Sequence, residues 1–201
     1  RGFDMFFIMG FAALVVSLCR LWPGGFSDWL IAQMGHAEWD GFFHHDTIFP
    51  LFLFIAGISF PFSLAKQRSK GTSERAILAK IVRRGLTLVL LGLVYNGLFR
   101  LDFATLRLPS VLGRIGLAWM FAALLYMRFG LRTRIVLAAG ILAAYSLVLH
   151  FVGAPDAPGA GTLTLEGNIA GYIDRRIMPS HLYLDGFDPE GILSTFPAVV
   201  T

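Results

Sequence analysis

The loop that follows the first apolar segment gathers side chains that can do acid–base chemistry. It reads HAEWDGFFHHDTIFP from His36 onward, so six ionisable groups and a tryptophan stand directly before a strongly apolar stretch. A neutral imidazole accepts a proton near pH 7 because its unperturbed pKa is about 6.5. His36 is therefore a candidate general base or nucleophile.

Two other interpretations of this loop stay open. His36, His44 and His45 are amphipathic, so they also suit a membrane–water interface without any chemical role. A metal site built from these histidines and Asp46 is disfavoured, because two adjacent histidines seldom point at one ion, and we predict no metal. Asp46 either caps the next helix or orients a histidine, and capping explains its position at least as well.

Three arginines are candidates for binding charged groups. Arg114 lies near the start of an apolar run, and an ionisable group at membrane depth usually faces a partner or a wet cavity. A span that begins later would instead leave Arg114 at the outer interface. Arg83 and Arg84 lie at the inner end of a predicted span, where they suit a cofactor phosphate or, as the default, anionic lipid.

A second group of candidates precedes the last apolar stretch, in the segment DGFDPEGILST. Its carboxylates are Asp185, Asp188 and Glu190. Carboxylates of this kind hold a sugar hydroxyl or an amine, and they also serve as an ordinary solvated cap. The pattern does not choose between the two.

The composition indicates an all-α, polytopic transmembrane helical bundle. Hydrophobic residues make up 56% of the 201 residues and charged residues 15%, and the mean hydropathy is +0.67. A bilayer core requires roughly 20 apolar residues in helical form. We predict a single membrane domain over residues 1–201, and we expect the chain to continue beyond Thr201. The five predicted spans are built on Met5–Cys19, Thr47–Ala65, Gly85–Phe99, Pro109–Met127 and Ile135–Val152, with a sixth beginning near Ile192. The first and third are shorter uncharged runs, which flanking residues such as Phe3, Leu21 and the stretch 77–81 can lengthen.

The basic residues predict the orientation of the bundle rather than a nucleic-acid partner. They gather in the linker after the second span, residues 66–84, and in the linker after the fourth, residues 128–134. Cytoplasmic loops carry an excess of lysine and arginine. The N-terminus is therefore predicted inside, and the connections 21–46, 100–110 and 153–190 outside, together with any chemistry.

Four sequence blocks resemble the heparan-alpha-glucosaminide N-acetyltransferase family and its bacterial relatives. In order they are HAEWDG, DTIFPLFLFIAGISF, RLPSVLGRIGLAW, and GYIDRRIMPSHLY with DPEGILST. The resemblance covers nearly the whole chain. It implies a multi-pass protein of a bacterial cytoplasmic membrane that moves an acetyl group from cytoplasmic acetyl-CoA to an amino sugar on the outer face.

The resemblance also assigns roles to particular positions. The family's active histidine matches His36, with Trp39 and Gly41 at the same spacing and Asp40 where relatives commonly have asparagine. Asp46 and Arg114 match the family's supporting aspartate and arginine, so Asp46 is predicted to join His36 in catalysis. Substrate contacts are predicted at Trp39, Asp40, Arg114, Asp188 and Glu190, and acetyl-CoA contacts at Arg83 and Arg84.

Two alternatives to this function remain at this stage. One is an acyltransferase that acts on another glycan of the cell envelope. The other is a small-solute transporter, because a helical bundle with an embedded arginine and an outer polar cluster also resembles a solute pathway. The predicted partners are the lipid bilayer and the glycan acceptor, with a second copy of the chain kept as a candidate.

Overall fold

The structure, a computed structural model, describes residues 2–37, 39, 41–183 and 186–201. Helices account for 67% of it and the described residues form no strand, which confirms the predicted all-α fold class. A π-helical turn (Phe7–Phe11) and 3₁₀ turns (His44–Thr47 and Leu98–Arg100) lie between α-helices. The α-helices are α1 (Gly2–Phe6), α2 (Ala12–Cys19), α3 (Gly25–Gln33), α4 (Ile48–Ser69), α5 (Glu74–Tyr95), α6 (Val111–Arg128), α7 (Leu131–Phe151), α8 (Ile169–Ile177) and α9 (Ile192–Ala198).

Three helical segments of the described chain are long and apolar enough to cross a membrane: His44–Ser69, Val111–Arg128 and Leu131–Phe151. They correspond to the second, fourth and fifth predicted spans. The count of five crossings stays a prediction, because the other two differ from what the pattern indicates.

The predicted first and third spans are corrected at their boundaries. The run Met5–Cys19 is not one helix, because Gly10 adopts a φ of 133° that a side chain rarely tolerates and so interrupts it. Helix α5 begins at Glu74, before both the uncharged run from Gly85 and the stretch 77–81 that was expected to lengthen it. Ser73 caps the helix by accepting a hydrogen bond from the Ala76 amide at 3.3 Å. Its first turns therefore include charged residues that the hydropathy pattern assigned to a linker.

The described residues form two compact units, 1–56 and 57–201. The single domain over residues 1–201 stays a prediction. The second unit has the larger core, made where the end of α4 packs with α5 and α6. The buried side chains there are Phe60, Leu64, Ile77, Ile81, Met120 and Ala123.

Glycines bring α5 and α6 close together. A Cβ on Gly116 would lie 2.7 Å from the Gly85 carbonyl oxygen and 2.8 Å from Leu88 Cβ. A Cβ on Gly85 would lie 2.7 Å from Met120 Sδ. The backbones therefore approach only because side chains are absent at these positions.

The small residues of α7 are not packed as closely as the glycines of α5 and α6. Small residues at positions 138, 139, 140, 143 and 144 are of the kind that allows close helix packing, yet α7 has no fully buried residue in the described structure. A Cβ on Gly140 would meet no atom within 4 Å. Among the described helices, the one that meets α6 closely is α5, which carries its own glycines.

Candidate functional site

The first unit contains a histidine–carboxylate pair. His36 Nδ1 lies 2.7 Å from Asp46 Oδ1. The His36 side chain is 71% exposed, whereas that of Asp46 is 24% exposed. The pair therefore combines an accessible ring with a more sheltered carboxylate.

The pairing fixes which nitrogen of His36 is free to react. A carboxylate accepts a hydrogen bond, so Nδ1 carries the proton and Nε2 keeps its lone pair in the neutral ring. A carboxylate in this position also stabilises the imidazolium that forms when Nε2 takes a proton. This arrangement suits a general base or nucleophile at Nε2.

Local backbone contacts hold Asp46 in place. The Phe43 amide donates to Asp46 Oδ2 at 2.9 Å, so one carboxylate oxygen is held by the turn while the other faces His36. The His44 amide donates to Gln33 Oε1 at 3.0 Å, which ties the 3₁₀ turn to the end of α3. Both ends of the loop that carries His36 are thereby joined.

The neighbouring histidines pack against other rings. The His45 ring lies edge-on to His36, with centroids 4.6 Å apart and an interplanar angle of 82°. The His44 ring lies 4.7 Å from that of Phe7. Within the described residues, no group of three or more histidine, cysteine, aspartate or glutamate side chains is arranged to hold a metal ion.

Two further residues of this loop, Trp39 and Asp40, were predicted to contact the substrate. Trp39 is 38% exposed. Asp40 lies outside the described residues, so its predicted substrate contact stays a prediction.

In the second unit, the predicted substrate residue Asp188 is engaged by the protein itself. Its side chain is fully buried. Arg107 donates to both carboxylate oxygens, from Nε at 2.8 Å and Nη2 at 2.7 Å, and the Tyr183 and Glu190 amides donate at 2.9 and 3.0 Å. These contacts favour a structural role for Asp188.

Glu190 completes that ion network and remains partly accessible. Its carboxylate pairs with Arg107 Nη2, and its side chain is 14% exposed. Burial raises the pKa of Glu190 above its ordinary value, with the neighbouring Asp188 adding to the effect against the guanidinium of Arg107. A carboxyl group in this state can hold or release a proton closer to neutral pH than an exposed one.

Glu190 and Arg114 meet at one cavity of about 300 Å³ between α5, α6 and α9. Arg114 is anchored there, donating to the Pro189 carbonyl at 2.7 Å and to the Ser194 carbonyl at 2.9 Å. The other walls are mostly apolar: Val89, Leu108, Leu117, Phe121, Ile192 and Phe196. The two polar groups thus face a largely hydrophobic space, which is typical of a small-molecule site.

The two candidate cofactor-binding arginines, Arg83 and Arg84, are neighbours on α5, and an aromatic ring contacts Arg84. Both are exposed on α5. The Arg84 guanidinium lies 4.3 Å from the centre of the Trp119 ring, so its position is fixed by a cation–π contact. The N–H donors at the edge of the Arg84 guanidinium can bind an anion.

Two functional candidates escaped the sequence interpretation. Arg107 was not singled out in the sequence, although it pairs with both Asp188 and Glu190 just before α9. Asp174 lies within α8, is 1% exposed and accepts a hydrogen bond from the Ile192 amide at 2.8 Å. Burial raises the pKa of Asp174 to about 6. Only the hydrophobic spacing around Asp174 could have indicated that the α8 face which carries it is buried.

Comparison with known proteins gives the family context. Human heparan-alpha-glucosaminide N-acetyltransferase is 28% identical over 213 aligned residues, which cover 82% of this chain, and the mouse protein gives the same values. The chain is a distant relative of that family. It spans about a third of the length of these relatives, because the alignment covers 32% of each. No family model matches the sequence.

Kinship to these enzymes confirms the resemblance drawn from the four sequence blocks. The relatives are named as acetyltransferases, so the chain is related to enzymes of that kind. The long apolar helices agree with a membrane protein. The roles of individual residues stay predictions.

Proposed function

We propose that the full protein is an integral membrane acetyltransferase that moves an acetyl group from cytoplasmic acetyl-CoA to an amino sugar on the opposite side. The observation that supports it most strongly is the 2.7 Å contact between His36 Nδ1 and Asp46 Oδ1, which leaves Nε2 of an exposed ring as a base. Kinship to N-acetyltransferases supports the same reaction class.

The proposed chemical step is aminolysis of a thioester. The acceptor nitrogen attacks the thioester carbonyl carbon, a C–N bond forms, and the C–S bond breaks to release the coenzyme thiolate. His36 Nε2 takes the proton that the nitrogen loses and returns it to the thiolate, so charge and protons balance. A route through an acetylated imidazole uses the same nitrogen as nucleophile.

Donor binding is proposed at the exposed arginines of α5. Arg83 and Arg84 would hold phosphate groups of the coenzyme, since a guanidinium binds phosphate with two donors. Trp119 supports this by fixing Arg84 in one orientation. Substitution of both arginines by alanine should weaken acetyl-CoA binding to the purified full-length protein.

Substrate contact in the second unit is proposed at Arg114 and Glu190. Their cavity of about 300 Å³ has one polar wall and several apolar ones, which suits a ligand that is itself partly apolar. Asp188 is proposed to act through Arg107, by holding the guanidinium that pairs with Glu190.

The decisive experiment uses membranes that contain the full-length protein. Labelled acetyl-CoA and a glucosaminide acceptor should yield N-acetylated product, and His36→Ala should abolish it while leaving expression and acetyl-CoA binding intact. Unchanged turnover in that variant would refute the role of His36. A panel of other envelope glycans identifies the acceptor if glucosaminides fail.

A further inference from the structure

The first turn of α7 holds an arginine, Arg134, for which no anionic partner is found among the described residues. Arg134 is partly buried, and its buried Nε has no hydrogen-bond partner among the described residues. The guanidinium instead lies 4.1 Å from the centre of the Tyr126 ring. A sheltered guanidinium is stabilised further by a counter-charge, so Arg134 is suited to contact an anionic group.

The same turn offers further positive potential. Arg128 and Arg132 are exposed on either side of it. Helix α7 is 21 residues long and has no side-chain cap at Gly130. Its first amides therefore add the positive end of a helix dipole to the three arginines.

An apolar groove begins beside this charge. A cavity of about 160 Å³ is lined by Arg134 and by apolar side chains of α6, α7 and the segment after α9: Ala122, Leu125, Leu137, Ala138, Ile141 and Val199. From Arg134 to Ile141 the helix rises about 10 Å. The groove therefore runs from the cationic turn along two candidate membrane spans.

We propose that this site binds one anionic phospholipid, with its phosphate at the α6–α7 turn and part of one acyl chain in the groove. A free phosphate would satisfy the arginines but would leave the groove empty. A cavity near 150 Å³ accommodates a small apolar group, which matches a portion of a chain rather than a whole ligand. The charge at one end and the apolar walls beyond it favour the lipid over a soluble anion.

The test compares lipids on the purified full-length protein in neutral detergent. Phosphatidylglycerol should raise the Tm and remain bound in native mass spectra, whereas phosphatidylcholine and inorganic phosphate should do neither. Arg134→Gln should weaken phosphatidylglycerol binding roughly fivefold, the effect of about 1 kcal/mol per basic residue. Arg75→Gln, which removes an exposed arginine of α5 distant from this turn in sequence, should bind like the wild type.

A second variant keeps the proposal testable if Arg134→Gln is poorly folded. Ala138→Phe fills the groove without changing the charge, so it should reduce phosphatidylglycerol retention while acetyl-CoA binding is unchanged. Equal binding of phosphatidylglycerol and phosphatidylcholine, a full effect of phosphate alone, or undiminished retention in both variants would overturn the proposal. Because no acetyl transfer is measured, loss of the proposed function would leave this result intact.

Discussion

At the residue scale, the reactivity proposed for His36 depends on its carboxylate neighbour. Asp46→Asn should reduce acetyl transfer by about a hundredfold or more, because the amide no longer stabilises the imidazolium and can present the wrong tautomer. Rates in membranes containing the full protein provide the measurement. Asp28→Asn is the matched control, an exposed acid on the preceding helix, and an equal loss in both variants would argue against a specific role.

Asp174 should make stability depend on pH in an unusual direction. Burial raises its pKa from 3.8 to about 6, so the folded protein holds a proton that the unfolded chain releases. The free energy of unfolding should therefore fall as the pH rises between about 4 and 6, by up to about 3 kcal/mol. Asp174→Asn should remove this slope in thermal unfolding followed in detergent.

Asp156→Asn supplies a control of opposite sign. Its hydrogen bonds with Arg175 lower the pKa of Asp156, so its contribution to stability is lost as the pH falls through its folded pKa. A difference between wild type and Asp174→Asn that stayed constant from pH 4 to 7 would contradict the assignment.

How much of the site could be predicted differed from residue to residue. His36 and Asp46 were found from residue type and family pattern, since both lie within one short loop. Arg107 could not be found, because its partner Asp188 is 81 positions away and only the fold brings them together. Asp188 was predicted to contact substrate, and its pairing with Arg107 could not be predicted because it depends on that same distant contact.

At the element scale, Gln33 should affect the rate of acetyl transfer because it holds the 3₁₀ turn that begins at His44. Its amide oxygen accepts from the His44 amide at 3.0 Å, so Gln33→Met, which keeps the length but removes the acceptor, should lower the rate of acetyl transfer. Gln33→Glu retains an acceptor oxygen and should recover most of it. If both variants behave alike, the tether does not position the pair.

The approach of α5 and α6 gives a prediction with an internal control. Gly116→Ala should destabilise the protein by about 1 to 3 kcal/mol, because the added Cβ overlaps the Gly85 carbonyl and Leu88. Gly140→Ala adds the same atom on α7 in open space and should be neutral or slightly stabilising. Thermal unfolding of the two variants in one detergent distinguishes them.

Helix type could be read from the sequence, but helix ends and helix neighbours could not. Hydropathy located α4, α6 and α7 because each is a long apolar run. It began α5 too late because Glu74, Lys80, Arg83 and Arg84 are helical despite their charge. Small residues alone did not identify which helices meet closely, since that depends on the surface opposite them.

At the scale of the whole molecule, the predicted orientation can be measured directly. In a Cys19→Ser background, Arg75→Cys should be labelled only by thiol reagents that cross the membrane, whereas Thr162→Cys should also be labelled by a membrane-impermeant reagent added outside. The expectation follows from the basic linkers on one side of the predicted spans. Labelling of both positions from the same side would contradict the three crossings predicted between them.

The ion pair between Arg107 and Asp188 also bears on how the chain is made. At a synthesis rate of about 5 to 20 residues per second, Arg107 leaves the ribosome roughly 4 to 16 seconds before its partner 81 residues later. During that interval α6 and α7 are synthesised, and Arg107 is without both of its acidic partners, Asp188 and Glu190. The ion pair therefore forms only after the segment before α9 has been synthesised, so the part of the chain made earlier folds without this contact.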